Sequence, residues 1–146
     1  MTKLAVSSGD PAGIGPDICI KAFGSKTKLH YSPVIFGDPN LFKERAKALG
    51  QKIDLQIYRG ENEELLSNNC LWIKPHDLKQ SVKPGEPDVF YAKYLIDLFE
   101  DAIDKTVSNE FNGLVTGPIN KELMNKGGVD FQGHTEVLTR FAKDKN

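Results

Sequence analysis

Cysteine, tryptophan and methionine are scarce in this 146-residue sequence, with two, one and two residues respectively. The cysteines, Cys19 and Cys70, lie far apart and match no metal-ligand or redox spacing. Buried, reduced thiols are therefore expected, not a disulfide framework or a zinc site. The three histidines, His30, His76 and His134, also lack metal-ligand spacing. Strong charge of either sign is missing too. The formal net charge is −1, which argues against nucleic acid or another polyanion as partner. No apolar run approaches the length of a membrane span, and the opening residues MTKLAVSSGD hold no signal-peptide apolar core. A cytoplasmic setting without a membrane partner is expected. With 39% hydrophobic and 27% charged residues, the chain has the balance of one globular domain with a real core.

Short apolar runs alternate with helical periodicity along the chain, which predicts an α/β fold: a mostly parallel sheet flanked by helices. Leu4 to Ser8 reads as a buried strand, and a helix follows from Pro16, with Asp17 at its positive end. Ser32 to Phe36 is the second strand. Asp38 and Asn40 then open a helix with Leu41, Phe42, Ala46 and Leu49 on one face and Gly50 as its stop. Lys52 to Tyr58 alternates like a half-exposed strand, Arg59 to Asn69 reads as a polar surface loop, and Cys70 to Ile73 is a strand with Trp72 in the core. Lys21, Lys26 and Lys28 form a mild basic cluster that solvation explains. The turn Pro84-Gly85-Glu86-Pro87 opens the longest helix, Asp88 to about Val107, with Asp101 and Lys105 spaced as an i,i+4 ion pair. Leu114–Val115 is the next strand, followed by helical runs Asn120 to Lys126 and Val137 to Lys143.

Two strand–loop–helix elements carry the chemistry. The first is Gly9-Asp10-Pro11-Ala12-Gly13-Ile14-Gly15-Pro16-Asp17. It has no Gly-Lys-Ser/Thr, so it is not a Walker A loop. Ile18 replaces the third glycine of a dinucleotide fingerprint, and Pro16 removes an N–H donor. Pyrophosphate binding at this loop is excluded on those grounds. Gly13 and Gly15 are expected to be needed for backbone shape, alanine costing roughly 1 kcal/mol wherever φ is positive. The second element is Thr116-Gly117-Pro118-Ile119-Asn120-Lys121, followed by Gly133-His134-Thr135-Glu136. A strand that ends in Thr-Gly-Pro and feeds a helix offers a hydroxyl, N–H groups and a helix N-terminus to an anion. Lys121 can add a full charge, and His134 and Thr135 follow a glycine that can aim them into a cleft.

These two motifs, in this order, resemble the 4-hydroxythreonine-4-phosphate dehydrogenases of pyridoxal phosphate biosynthesis. The resemblance implies a fold like that of isocitrate and isopropylmalate dehydrogenases, working as a homodimer. It implies oxidation of the secondary alcohol of a phosphorylated hydroxy-amino acid by NAD or NADP, followed by decarboxylation. A divalent metal (Zn, Mg or Co) would polarise the hydroxyl and then the ketone. By position, His134 and Thr135 are the substrate contacts. Lys121, Thr116, Gly117 and Asp10 are further cleft candidates.

Family members are considerably longer than this chain. Residues 1–146 are expected to be an N-terminal portion, one wall of the cleft. The metal ligands and the nicotinamide site would then lie elsewhere, and the chain alone would be inactive, because hydride transfer needs both reactants held in near-attack geometry. Two other functions stay open on the residues alone. One is a non-catalytic module that binds phosphate or another small anion. The other is an acyl-phosphate transferase of related fold.

Overall fold

Side-chain alternation along the central strand decides the architecture. The computed structural model describes residues 2–24, 29–60 and 70–144. In β1 (Thr2–Ser7), Ala5 enters one hydrophobic cluster and Val6 the other, so both faces of the strand are covered. The strands β2 (Tyr31–Gly37), β3 (Asp54–Ile57), β4 (Cys70–Pro75) and β5 (Gly113–Thr116) complete a five-stranded sheet of order β3-β4-β2-β1-β5. Every pairing in it is parallel. Helices α1 (Gly15–Phe23) and α2 (Pro39–Ala48) cover one face, where Cys19, Ile20, Phe42 and Ala46 meet Val6, Ile35, Leu71 and Ile73. The longest helix, α3 (Tyr91–Val107), covers the other and carries α4 (Lys121–Lys126) and α5 (His134–Asp144) against it. No helix of the described residues is long and apolar enough to cross a membrane.

Helix α3 buries Leu95, Leu98, Phe99 and Ala102 completely. Truncating a site such as Leu98 to alanine costs about 2–5 kcal/mol. The helix begins at Tyr91, later than the expected Asp88, because Asp88 caps the turn: its carboxylate accepts from Phe90 N at 2.9 Å and its carbonyl from Tyr91 N at 3.1 Å. Helix α5 begins earlier than expected, at His134. Gly133, at φ +137°, turns the chain and accepts from Val137 N. Asp38 caps α2 as its position predicts, accepting from Asn40 N and Leu41 N, and also from Leu78 N at 2.8 Å. The Lys26–Lys28 cluster and the stretch 61–69 lie outside the described residues.

Two expectations are corrected. Asp101 does not pair with Lys105. It accepts from Lys74 Nζ at 2.7 Å and lies 2.9 Å from His76 Nε2, while Lys105 turns to Glu110. A residue at the end of β4 outcompetes the helical neighbour because both Lys74 and His76 project from the sheet beneath α3. The second correction concerns the glycines. Neither Gly13 nor Gly15 has positive φ. Gly15 is required sterically, since a Cβ there would sit 2.0 Å from Ser8 O. At Gly13 the nearest atom is 3.4 Å away.

Two outcomes follow for stability. Gly15→Ala is expected to cost about 3 kcal/mol in urea unfolding, the range of severe overpacking, and Gly13→Ala less than about 1 kcal/mol. Equal effects would contradict the steric assignment. For Asp101, burial pulls the carboxyl upward, but the hydrogen bonds and charges of His76 and Lys74 outweigh it and hold the pKa at about 2. A carboxylate depressed in the folded state stabilises above its unfolded pKa of about 4. That contribution is lost as pH falls toward about 2. Asp101→Asn should lower stability at pH 7 by roughly 2 kcal/mol and flatten the acid limb in that window; an unchanged acid limb would refute the assignment.

Candidate functional site

Strand β1 lies between β2 and β5, so the connections leaving β1 and β5 depart to opposite faces of the sheet. The crevice outside their carboxyl ends is where parallel α/β sheets place ligands. Both predicted loops converge there. Gly117 N donates to Ser7 O at 2.7 Å, and Asp10 N donates to Pro118 O at 3.1 Å. A Cβ on Gly117 would lie 2.7 Å from Ser7 O, and one on Gly9 (φ +77°) would lie 2.5 Å from Pro118 O. Only glycine permits this backbone contact.

The glycine loop is held from within. Asp10 Oδ1 accepts from Ala12 N at 2.8 Å, Asp10 O from Gly13 N at 3.0 Å, and Ala12 O from Gly85 N at 2.7 Å. Arg45 of α2, unremarked in the sequence reading, reaches across to the same loop. It is buried and grips Asp17 in two bonds of 2.8 and 2.7 Å, and its Nη2 donates to Gly13 O at 3.2 Å. Its Nη1 is buried without a partner. The signal was available: an arginine at helical spacing beside Phe42, Ala46 and Leu49, on the apolar face.

The second loop delivers the remaining candidates. Thr116 and Lys121 are exposed, at the end of β5 and the start of α4. Asn120 caps α4 by accepting from Leu123 N at 3.0 Å. Asn125 ties α4 to the next connector: its Nδ2 donates to Lys121 O and Phe131 O, each at 2.9 Å, and its Oδ1 accepts from Phe131 N. That clasp positions the Gly133 turn and therefore His134. The imidazole packs edge-on against Phe99 and Phe131, with centroids at 5.1 and 5.7 Å. His134 Nε2 is buried with no partner, while the next residue, Thr135, is exposed. Ser7, in register with Thr116, has a buried hydroxyl that is likewise without a partner. Asp10 is partly buried, with one carboxylate oxygen engaged in its own turn.

Several N–H groups that the sequence offered to an anion are thus already bonded, those of Asp10, Ala12, Gly13, Gly117 and Leu123. Among the described residues no three His, Cys, Asp or Glu side chains cluster as a metal site requires. Cys19 is chemically quiet, since burial pushes its thiol up to about 12.

Comparison with known proteins gives one family. The sequence profile of the pyridoxal phosphate biosynthetic protein PdxA matches residues 30–146. A 4-hydroxythreonine-4-phosphate dehydrogenase of Shewanella frigidimarina is 36% identical over 94% of this chain and 42% of its own. One from Saccharophagus degradans is 34% identical over 98% and 41%. The crystal structure of the Klebsiella pneumoniae 4-hydroxythreonine-4-phosphate dehydrogenase superposes with a TM-score of 0.87 at 25% identity, over 96% of this chain and 44% of that one. That of the Burkholderia phymatum protein gives 0.86 at 20%, a likeness of fold. The chain spans less than half the length of these relatives.

The Arg45 clasp makes a testable demand. Arg45→Met leaves Asp17 and Gly13 O without their partner and is expected to cost about 3 kcal/mol in urea unfolding. A loss below about 0.5 kcal/mol, the scale of a plain surface change, would show that the loop stands without it.

Proposed function

Because this chain belongs to the family of the pyridoxal phosphate biosynthetic protein PdxA, we propose that it forms the substrate-positioning wall of a 4-hydroxythreonine-4-phosphate dehydrogenase. The observation that carries the reading is His134. A half-buried imidazole stands at the head of α5 with Nε2 unpaired, beside the exposed Thr135, on the segment whose Gly-His-Thr-Glu sequence led to the family. Buried polar atoms without partners call for one, and a phosphorylated hydroxy-amino acid is rich in donors and acceptors. In this reading His134 and Thr135 hydrogen-bond the substrate. Lys121, on the neighbouring helix, adds a positive charge for its anionic groups. Thr116, Gly117 and Asp10 shape the floor: the locked turn of Gly117 and Pro118 fixes where the Thr116 hydroxyl stands.

The reaction is oxidation of the substrate's secondary alcohol followed by loss of carbon dioxide. In that reaction NAD or NADP would serve as the hydride acceptor, and a divalent metal would supply polarisation of the substrate oxygen. In this reading the residues of this chain hold neither group on their own. Their part is orientation, and the remainder of the family fold, working as a homodimer, supplies the rest. The rival reading, a free-standing phosphate module, is weakened by the loop amides already bonded within the chain. An acyl-phosphate transferase has no specific observation in its favour.

The test joins this chain to the part of the Klebsiella pneumoniae relative that it does not match. NADH formation is then followed with 4-phosphohydroxythreonine, NAD+ and a divalent metal. Turnover is expected from the joined protein and none from the chain alone. His134→Ala should lower kcat/KM by roughly 10²-fold while the protein stays folded by circular dichroism. Unchanged kinetics in that variant would remove His134 from the site.

A further inference from the structure

Helix α3 anchors both arms of the candidate site, and a single amide joins them. Ala92 meets the end of α4: a Cβ on Gly127 would strike the Ala92 side chain and lie 2.6 Å from Val89 O. Phe99 meets the start of α5, with its ring edge-on to His134 at 5.1 Å. Seven residues separate Ala92 from Phe99, about two turns and about 10 Å along the helix axis, on the same flank. Lys121, on α4, is thus tied to the first contact and His134 to the second.

Between these anchors runs the connector 127–133. Its first half is held by the end of α4: Gly127 N donates to Leu123 O at 2.9 Å, Gly128 N to Asn125 O at 3.1 Å and Val129 N to Met124 O at 3.0 Å. Its second half is held by the Asn125 side chain. Oδ1 accepts from Phe131 N at 3.1 Å, and Nδ2 donates to Phe131 O and Lys121 O. Two carbonyls and one N–H surround the amide, which fixes its orientation. The Phe131 ring is buried and forms the second wall around His134, with centroids 5.7 Å apart. Aspartate in this place would have no donor for the two carbonyls, and serine could not reach both groups of Phe131. Asn125 itself is exposed, so replacing it takes no apolar contact from the core.

We propose that Asn125 is a positioning residue of the substrate wall. It fixes the backbone of Phe131, and through the Phe131 ring it sets the direction of the His134 imidazole relative to Lys121. The inference rests on the reading in which His134 contacts the phosphorylated hydroxy-amino acid. Both ends of the Asn125 amide are engaged by backbone, so its influence on substrate passes through the angle and depth of the imidazole. Without the amide, Phe131 N and O lose these partners and one wall of the slot is released, while Phe99 still holds the other. A ring walled on one side has more than one staggered rotamer open to it. The unpaired Nε2 then no longer meets the substrate from one fixed direction, and binding weakens.

Two variants test it. Asn125→Asp is nearly isosteric and turns an oxygen toward the Lys121 and Phe131 carbonyls, and Asn125→Ala removes the amide without that repulsion. The ring C–H resonances of His134 are followed by NMR in the chain and identified by their loss in His134→Ala. An imidazole held edge-on between two phenyl rings is displaced in shift from an exposed one, so both variants are expected to move these resonances toward exposed values while the amides of β1 and α3 stay in place. In the protein joined to the unmatched part of the Klebsiella pneumoniae relative, Asn125→Asp should raise KM for 4-phosphohydroxythreonine roughly tenfold and leave KM for NAD+ unchanged. A purely structural role would lower the melting temperature and move neither readout. His134 resonances that stay in place in both folded variants would overturn the proposal, as would an unchanged substrate KM in a variant whose His134 ring has moved. His134→Ala separates this failure from that of the substrate reading. Impaired kinetics there with unaffected Asn125 variants removes only the positioning role, and wild-type kinetics there removes the reading and the proposal together.

Discussion

Two backbones meet without side chains between them at the carboxyl ends of β1 and β5, and much of the molecule depends on that contact. Ser7 O accepts from Gly117 N, Pro118 O accepts from Asp10 N, and Gly9, Gly15 and Gly117 each leave no room for a Cβ. The steric demand is local, but its reach is long. It fixes the entry of α1, and through Asp17 and Arg45 it couples that entry to α2. On the other side it sets the direction in which the chain leaves β5 toward α4 and the Gly133 turn. The candidate site is thus a by-product of packing: rigid loops hold the floor, and the groups able to meet a ligand, His134, Thr135, Thr116 and Lys121, stand around it.

A polar network beneath the contact explains why α3 can carry the other half of the site. Ser8 Oγ donates to Phe36 O, and Asp38 N donates to the Tyr94 oxygen at 2.9 Å. The Asp38 carboxylate accepts three backbone N–H bonds from α2 and from Leu78. Burial drives the Tyr94 phenol pKa upward, so it stays neutral and serves as a fixed partner. These groups lock β1, β2, α2 and α3 together through hydrogen bonds that satisfy the buried carboxylate. The same helix presents Phe99 to the His134 ring.

Periodicity made the strands and helices legible, because burial on both sheet faces forces continuous apolar strands and one-sided helices. The order of the strands was not legible. It depends on which crossover passes over which strand, and β4 lies between β2 and β3 although it follows both in the chain. Glycine content flagged both loops correctly, but spacing cannot distinguish a glycine kept for φ from one kept for clearance. Hence Gly13 was overvalued, while the clashes at Gly9 and Gly117 emerged only in three dimensions. Asp101 was assigned to its helical neighbour because Lys74 and His76 are remote in sequence. His134 was recognised by its motif. Its packing against Phe99 could not be, since that contact joins two separate helices.

The central claim is that the two loops form one rigid unit, and amide hydrogen exchange at Asp10 and Gly117 tests it most directly. If the backbone contact holds the site together, both amides exchange only through global unfolding and report the same free energy as the slowest amides of β1. If either exchanges as fast as an exposed loop amide, the loops open independently and the site is not built on that contact.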